Sequence, residues 1–253
     1  MFPEHLIINF PVNDSNKFPN KIASTLIFYS SNKGSFMQKQ HQVHNLIILD
    51  ESGSMESIKD TIISGFNELV QTISGMESKF PDQKHFITFV TFNGLAQKIL
   101  HYMEPANLLK EINTKKYNPQ ASTPLYDAMG MIIKKLDLSL QDKTDYNVLV
   151  TILTDGEENA SEEYSGKAIK KLVEDLKQKN WTFTYIGTDH DVENFAFSIS
   201  IENTMVFQKD IEGTRDMFAK ERKARENYSH KLYANRTVSD NYFDDIDEES
   251  QAK

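Results

Sequence analysis

The 253-residue chain contains no cysteine. That excludes a disulfide framework and any thiolate metal centre, and it fits a cytoplasmic protein. Long hydrophobic runs are also missing. The apolar stretches are strand-sized, too short to span a bilayer. The first residues, MFPEHLIINFP, lack the basic start and extended apolar core of a secretory leader. Basic charge is in deficit. The 28 lysines and arginines face 37 acidic residues, for a net charge of −9, which argues against a nucleic-acid partner. There is no G-x-x-x-x-G-K-[ST] segment, so a P-loop nucleotide site is excluded.

What is present is an alternation of strand and helix patterns, in a chain long enough for one α/β domain and some extra. Residues 45–50 read as a buried strand. Residues 54–74 read as a helix with Ile58, Ile62, Phe66, Leu69 and Ile73 on one stripe and Ser54 as its cap. FITFVTF (86–92) is a strand. Asn93-Gly94 then signals a hairpin into an antiparallel strand over 96–103. A short helix is expected over 106–113, and another from Pro124 to about 137. YNVLVTIL (146–153) has the continuous apolar character of a central parallel strand. A helix over 162–179, a strand over 181–187, a short helix over 191–200 and a last strand over 203–208 complete the alternation. The fold class that follows is α/β: a Rossmann-like, doubly wound, mostly parallel sheet with one antiparallel edge hairpin.

Four regions follow from this reading. Residues 1–43 are an N-terminal extension, either one or two extra strands or an over-extended start ahead of Met37. Residues 44–210 are the α/β domain. Residues 211–236 are a charged helix whose apolar positions thin out after Phe218, so its later turns are expected to project. Residues 237–253 form an acidic tail with little to bury, which reads as disordered.

The most informative stretch is HNLIILDESGSM, 44–55. A buried strand ends abruptly in Asp50, Glu51, Ser52, Gly53 and Ser54, at the kind of strand end where open α/β sheets collect ligands. Hard oxygens of this type suit Mg²⁺. Two further segments offer matching oxygens: Ser122-Thr123 in QASTPLYDAMG and Asp155 in VLVTILTDGEEN.

Together these segments resemble the von Willebrand factor type A (vWA) domain and its metal-ion-dependent adhesion site. The family pattern is Asp-x-Ser-x-Ser, a distant Thr, and a distant Asp at the end of another strand. It is matched by Asp50, Ser52, Ser54, Thr123 and Asp155, over roughly residues 42–210. The resemblance implies a Mg²⁺ or Mn²⁺ site. Ser52, Ser54 and Thr123 would offer hydroxyl oxygens directly, and Asp50 and Asp155 would supply charge, often through water. It implies no enzyme but a metal-dependent protein-binding module of the bacterial intracellular type. Its partner would present an Asp or Glu to the metal's open position, and it often works beside AAA+ ATPases or in stress-response assemblies.

The neighbouring residues read more plainly. Glu51 is expected to be a solvated turn residue. Glu157, Glu158 and Asn159 read as an acidic rim. Asp127 either accepts a bond from the Thr123 or Ser52 region or sits favourably near its helix start. Thr188-Asp189-His190-Asp191 reads as a helix cap rather than a second metal site. A haloacid-dehalogenase phosphatase would need an Asp where Ser52 stands. The alternative function is a metal-dependent phosphoester hydrolase on the same kind of sheet. His85 and His101 lie in the hairpin strands and His190 in a loop, and no catalytic nucleophile stands out.

Overall fold

A strand in the middle of a parallel sheet must be apolar on both faces, because helices cover it from each side. HNLIILD and YNVLVTIL meet that demand, and they lie side by side in the sheet's centre. In the computed structural model, residues 40–188, 191–234, 238, 242 and 243 are described. The elements in chain order are β1 (His41–Asp50), α1 (Lys59–Lys79), β2 (Gln83–Asn93), β3 (Ala96–Pro105), α2 (Leu125–Leu140), β4 (Tyr146–Leu153), α3 (Gly166–Lys177), β5 (Trp181–Gly187), α4 (Val192–Ser198), β6 (Asn203–Val206) and α5 (Ile211–Tyr233).

The six strands run in the order β3-β2-β1-β4-β5-β6. Every pairing is parallel except the β2–β3 hairpin at one edge. This is the doubly wound α/β sheet with one antiparallel hairpin that the pattern predicts. Alternate residues of β1 serve opposite faces: Leu46 and Ile48 join the core under α2, α3 and α4, while Ile47 and Leu49 join the core under α1 and α5. Chain direction across the sheet reverses between β1 and β4, so their carboxyl ends flank the crevice where such sheets hold ligands.

α1 and α5 pack together on one face, and Gly65 permits it. A Cβ at Gly65 would lie 2.1 Å from the Phe218 ring. The expected projection of α5 beyond Phe218 is corrected here. Glu221, Ala224, Arg225, Tyr228 and Ser229 are all buried. The charged pair enters the interior because it is mutually satisfied: Arg225 donates to Glu221 through Nε and Nη2, to Asn45 through Nη1 (2.7 Å), and to Thr151 through Nη2 (2.6 Å). Of the region read as an acidic tail, Val238, Tyr242 and Phe243 are described. Tyr242 is buried against Tyr228, and its hydroxyl donates to Glu221 Oε2 at 3.0 Å. The rest of that tail, the extension up to residue 39, and Asp189 and His190 lie outside the described residues.

Local differences from the sequence reading have local causes. The helix expected over 106–113 is only a 3-10 turn, Ala106–Leu108. Beyond it Asn67 takes both backbone groups of Ile112, accepting from its N–H and donating to its carbonyl, which holds the chain extended. The helix expected from 162 begins at Gly166, because side-chain carboxylates occupy the preceding N–H groups. Asp127 accepts from Glu162, Glu163 and Tyr164, and Ser165 then caps α3. The Asn93-Gly94 turn forms, but by another device. Asn93 Oδ1 accepts from the N–H groups of Leu95 and Ala96, and no glycine among the described residues has a positive φ.

Candidate metal centre

Three loops meet above the carboxyl ends of β1 and β4. The first leaves β1 at Asp50 and enters a 3-10 turn, Gly53–Ile58, ahead of α1. Ser52 occupies the cap position of that turn without a side-chain capping bond, and Ser54 does not cap α1 as expected. Both hydroxyls are instead turned to each other and to the third loop. Ser52 Oγ lies 3.1 Å from Ser54 Oγ, and Ser54 Oγ donates to Asp155 Oδ1 at 2.7 Å. Thr123, on the second loop, is held by Asn159, whose Oδ1 accepts from the Thr123 N–H at 3.0 Å and whose own N–H donates to the Thr123 carbonyl. A Cβ at Gly156 would be 3.8 Å from Thr123 Oγ1, which places that hydroxyl beside the Asp155 turn. Asp50, Ser52, Ser54, Thr123 and Asp155 thus belong to one neighbourhood.

Asp50 is fully buried, with both carboxylate oxygens engaged: Oδ1 accepts from Ser52 N–H at 2.7 Å and Oδ2 from Thr154 Oγ1 at 2.7 Å. Burial pushes its pKa up to about 6, partly offset by the bonds from Thr154 and Ser52. The charge is therefore costly without a cation nearby. Asp155 is buried too. Its Oδ2 accepts no hydrogen bond and is faced by the Lys209 ammonium at 2.8 Å, an ion pair from the loop between β6 and α5.

The loops are stitched together by residues that sequence reasoning assigned elsewhere. Glu51 is not solvated. It is fully buried, and its Oε1 accepts from Lys98 Nζ at 2.7 Å and from Asn118 N–H at 2.5 Å, joining the first loop to β3 and to the second loop. Tyr117 donates its buried hydroxyl to the Asp50 carbonyl at 2.8 Å. Gly53 N–H donates to the Ala121 carbonyl and Gly94 N–H to the Ser122 carbonyl. Ser122 itself packs on the hairpin turn, away from the hydroxyl cluster, since a Cβ on Gly94 would meet its Oγ at 2.1 Å. Glu158 is an anchor rather than a loose rim, accepting from the N–H groups of Tyr126, Ala160 and Ser161. Asp127 sits in the first turn of α2, the second of the two places foreseen for it, and also fixes the 162–164 backbone. Asp191 caps α4, as expected for that segment.

Thr154 was not singled out, although its place directly before Asp155 at a strand end was a signal that could have found it. Lys98, Tyr117 and Lys209 carried no signal, since each reaches the site from a distant segment.

The donor set is two carboxylates and three hydroxyls. Among the described residues no group of three or more His, Cys, Asp or Glu side chains is arranged to hold a metal ion. The set fits a small hard cation that keeps several waters, and it does not fit a carboxylate-bridged metal pair. The carboxylate oxygen of Asp155 that accepts no hydrogen bond, already matched to a cationic group, supports the same fit.

A family model described as the von Willebrand factor type A domain matches residues 46–220. No curated protein matches the chain. Among solved structures it is similar to a mutant of the PilB minor pilin from Streptococcus sanguinis, at 12% identity and a TM-score of 0.51, covering 79% of this chain and 64% of the pilin. It is also similar to the vWF domain of the type V pili tip protein Mfa5 from Porphyromonas gingivalis, at 10% identity and a TM-score of 0.51, covering 80% of this chain and 98% of that one. Proximal thread matrix protein 1 from the mussel byssus matches at 14% identity and a TM-score of 0.50, covering 74% of this chain and 46% of that one. The chain therefore spans less than two thirds of the pilin and under half of the mussel protein. At these identities the likeness shows the fold alone. The family match covers well over half of the sequence, through both the Asp50 and Asp155 loops, and the chain belongs to the von Willebrand factor type A domain family.

Proposed function

We propose that this domain binds a protein partner through a divalent cation, Mg²⁺ or Mn²⁺, held by Ser52, Ser54 and Thr123 with Asp50 and Asp155 supplying charge. vWA domains often mediate metal-dependent protein interactions. The observation that carries the reading is the line of oxygens from Ser52 Oγ to Ser54 Oγ (3.1 Å) to Asp155 Oδ1 (2.7 Å), beside the Thr123 hydroxyl. When bound, the cation supplies an electrophilic position that an external Asp or Glu can fill. Asp50 orders the first loop through Ser52 N–H and the third through Thr154. Gly53 and Ser54 are exposed, so the cluster opens to solvent on the side where a partner's carboxylate would arrive.

A hydrolytic role on the same sheet lacks a placed general base or nucleophile among the described residues. His85 pairs in register with Val43, seven residues before Asp50, and so lies roughly 20 Å along the sheet from the site. We therefore assign no catalytic residue.

The test is titration of Mn²⁺ and Mg²⁺ by calorimetry, with partner capture in the presence and absence of EDTA. One site is expected, absent in Asp50→Ala and at least tenfold weaker in Thr123→Ala, roughly 1.4 kcal/mol. Equal binding by wild type and Asp50→Ala would remove the proposal. Phosphatase activity dependent on Mn²⁺ would replace it with the hydrolase reading.

A further inference from the structure

The loop between β6 and α5 brings a cation of the protein's own to the metal centre. Lys209 Nζ lies 2.8 Å from Asp155 Oδ2, with the lysine side chain one-fifth exposed (20%) and the aspartate side chain fully buried (0%). The other oxygen of the same carboxylate receives the Ser54 hydroxyl. Asp155 is thus shared between the hydroxyl cluster and the ammonium group. The contact is partly shielded from water, where an ion pair is screened less than at the open surface.

The geometry points to Lys209 as an internal counter-ion that tunes cation binding at this centre, an inference that rests on the cation-site reading above. The charge arithmetic is simple. Asp50 and Asp155 bring two negative charges, and Lys209 cancels one. A divalent cation entering the cluster meets the ammonium as a like charge across the Asp155 carboxylate. Binding must therefore loosen the Lys209–Asp155 pair or proceed against its repulsion. In either case the lysine lowers affinity for the cation.

Linkage makes the effect reciprocal: if Lys209 weakens cation binding, the cation weakens the Lys209–Asp155 contact by the same free energy. The position of Lys209 gives that contact reach. It directly precedes Asp210, whose side chain caps α5 by accepting from Gly213 N–H at 2.7 Å. Occupancy of the centre is thereby coupled to the start of the helix that packs along α1.

The experiment compares the full-length wild type, Lys209→Met and Lys209→Arg. Mn²⁺ affinity is measured by calorimetry, and acylation of Lys209 in the wild type by an amine-reactive reagent is followed by mass spectrometry with and without Mn²⁺. Lys209→Met is expected to bind Mn²⁺ roughly tenfold tighter, a coupling of ordinary size between linked sites. Lys209→Arg, which keeps the charge, stays near the wild type, and Mn²⁺ speeds acylation of Lys209. Unchanged or weaker affinity in Lys209→Met, with intact wild-type binding, overturns the inference and leaves the cation site standing. If neither protein binds Mn²⁺, the cation site itself falls and the inference with it. Should Lys209→Met not fold, the acylation rates decide: no change with saturating Mn²⁺ overturns the coupling.

Discussion

The interior behind α5 and the carboxyl edge of the sheet each hold a buried carboxylate beside a basic side chain, yet they are built to opposite standards. Behind α5, Arg225 and Glu221 are both almost fully buried (1% exposed each), and Arg225 finds Glu221, Asn45 and Thr151, in the middle of β1 and β4, while Tyr242 completes Glu221 Oε2. At the carboxyl edge, Asp155 Oδ2 accepts no hydrogen bond, Glu51 Oε2 has none either, and the basic partners Lys98 and Lys209 are each partly exposed. A complete buried network stabilises one arrangement. An incomplete one near solvent keeps capacity for something else to bind. The difference is what the proposed cation site at the carboxyl edge requires.

The sharpest way to break this comparison is Arg225→Met. It leaves Glu221 buried without its counter-ion, and breaking such a pair costs about 3–5 kcal/mol. For a domain of this size that lowers Tm by roughly 6–20 °C. Pairing it with Glu221→Leu should restore part of the loss, because an apolar pair carries no desolvation penalty. Thermal melts with and without Mn²⁺ check both halves: the metal-induced shift should persist in whatever fraction folds. A melt unchanged by Arg225→Met would show that the network behind α5 is no more essential than the carboxyl edge.

The fold was largely legible in the sequence because its signals are local. Apolar runs such as YNVLVTIL mark central strands, and Asp-x-Ser-x-Ser after such a run marks a ligand-bearing turn. The five candidate residues were named from signals of the same local kind, and the structure brings their loops together around two hydroxyl contacts. What could not be read was long-range pairing. Glu51 looks solvated in sequence and is buried, because Lys98 and the Asn118 N–H reach it from segments far along the chain. The inward turn of α5 was missed for a related cause. Charged residues were counted as surface, but Arg225 and Glu221 lie one helical turn apart and compensate each other inside. A helical turn such as 106–113 fails where a single side chain, Asn67, outcompetes the backbone for its hydrogen bonds.

The comparison also has a pH signature. His85, buried beside Asn45 of the Arg225 network, has its pKa pushed down to about 3, first by burial and then by the charges of Arg225 and His41. Its ring contacts Asn45 and Gln83. Because the folded-state value lies below the unfolded value near 6.5, the unfolded chain binds the proton first. Stability is therefore complete above about pH 6.5 and declines as pH falls toward the folded value. At pH 5 the loss from this one group is about 2 kcal/mol. His44, pushed down to about 4 mainly by burial, acts in the same direction. Denaturant melts from pH 8 to 4.5 should show the decline, and His85→Gln should flatten it. A decline unaltered by His85→Gln would move its origin to His44, since Asp50, whose folded value is raised, works in the opposite direction as pH falls.

The smallest effect probes how complete the network behind α5 is. Tyr242→Phe removes only the hydroxyl that donates to Glu221 Oε2 at 3.0 Å. The ring keeps its packing against Tyr228 and Phe243, and the Tyr242 N–H still donates to Asn203 Oδ1 at 3.0 Å. The change therefore isolates one donor. A buried carboxylate oxygen left without its bond costs about 1–3 kcal/mol, a Tm decrease of roughly 2–12 °C. Arg225 still neutralises Glu221, which places the expected value at the lower end. Mn²⁺ affinity should be unchanged, because this bond touches none of the candidate metal ligands. A measurable loss of stability with unchanged metal binding keeps the two regions distinct. A neutral substitution would mean that Glu221, like Asp155, tolerates an oxygen that accepts no hydrogen bond while an ion pair offsets its charge, and that completeness of hydrogen bonding does not separate the two regions.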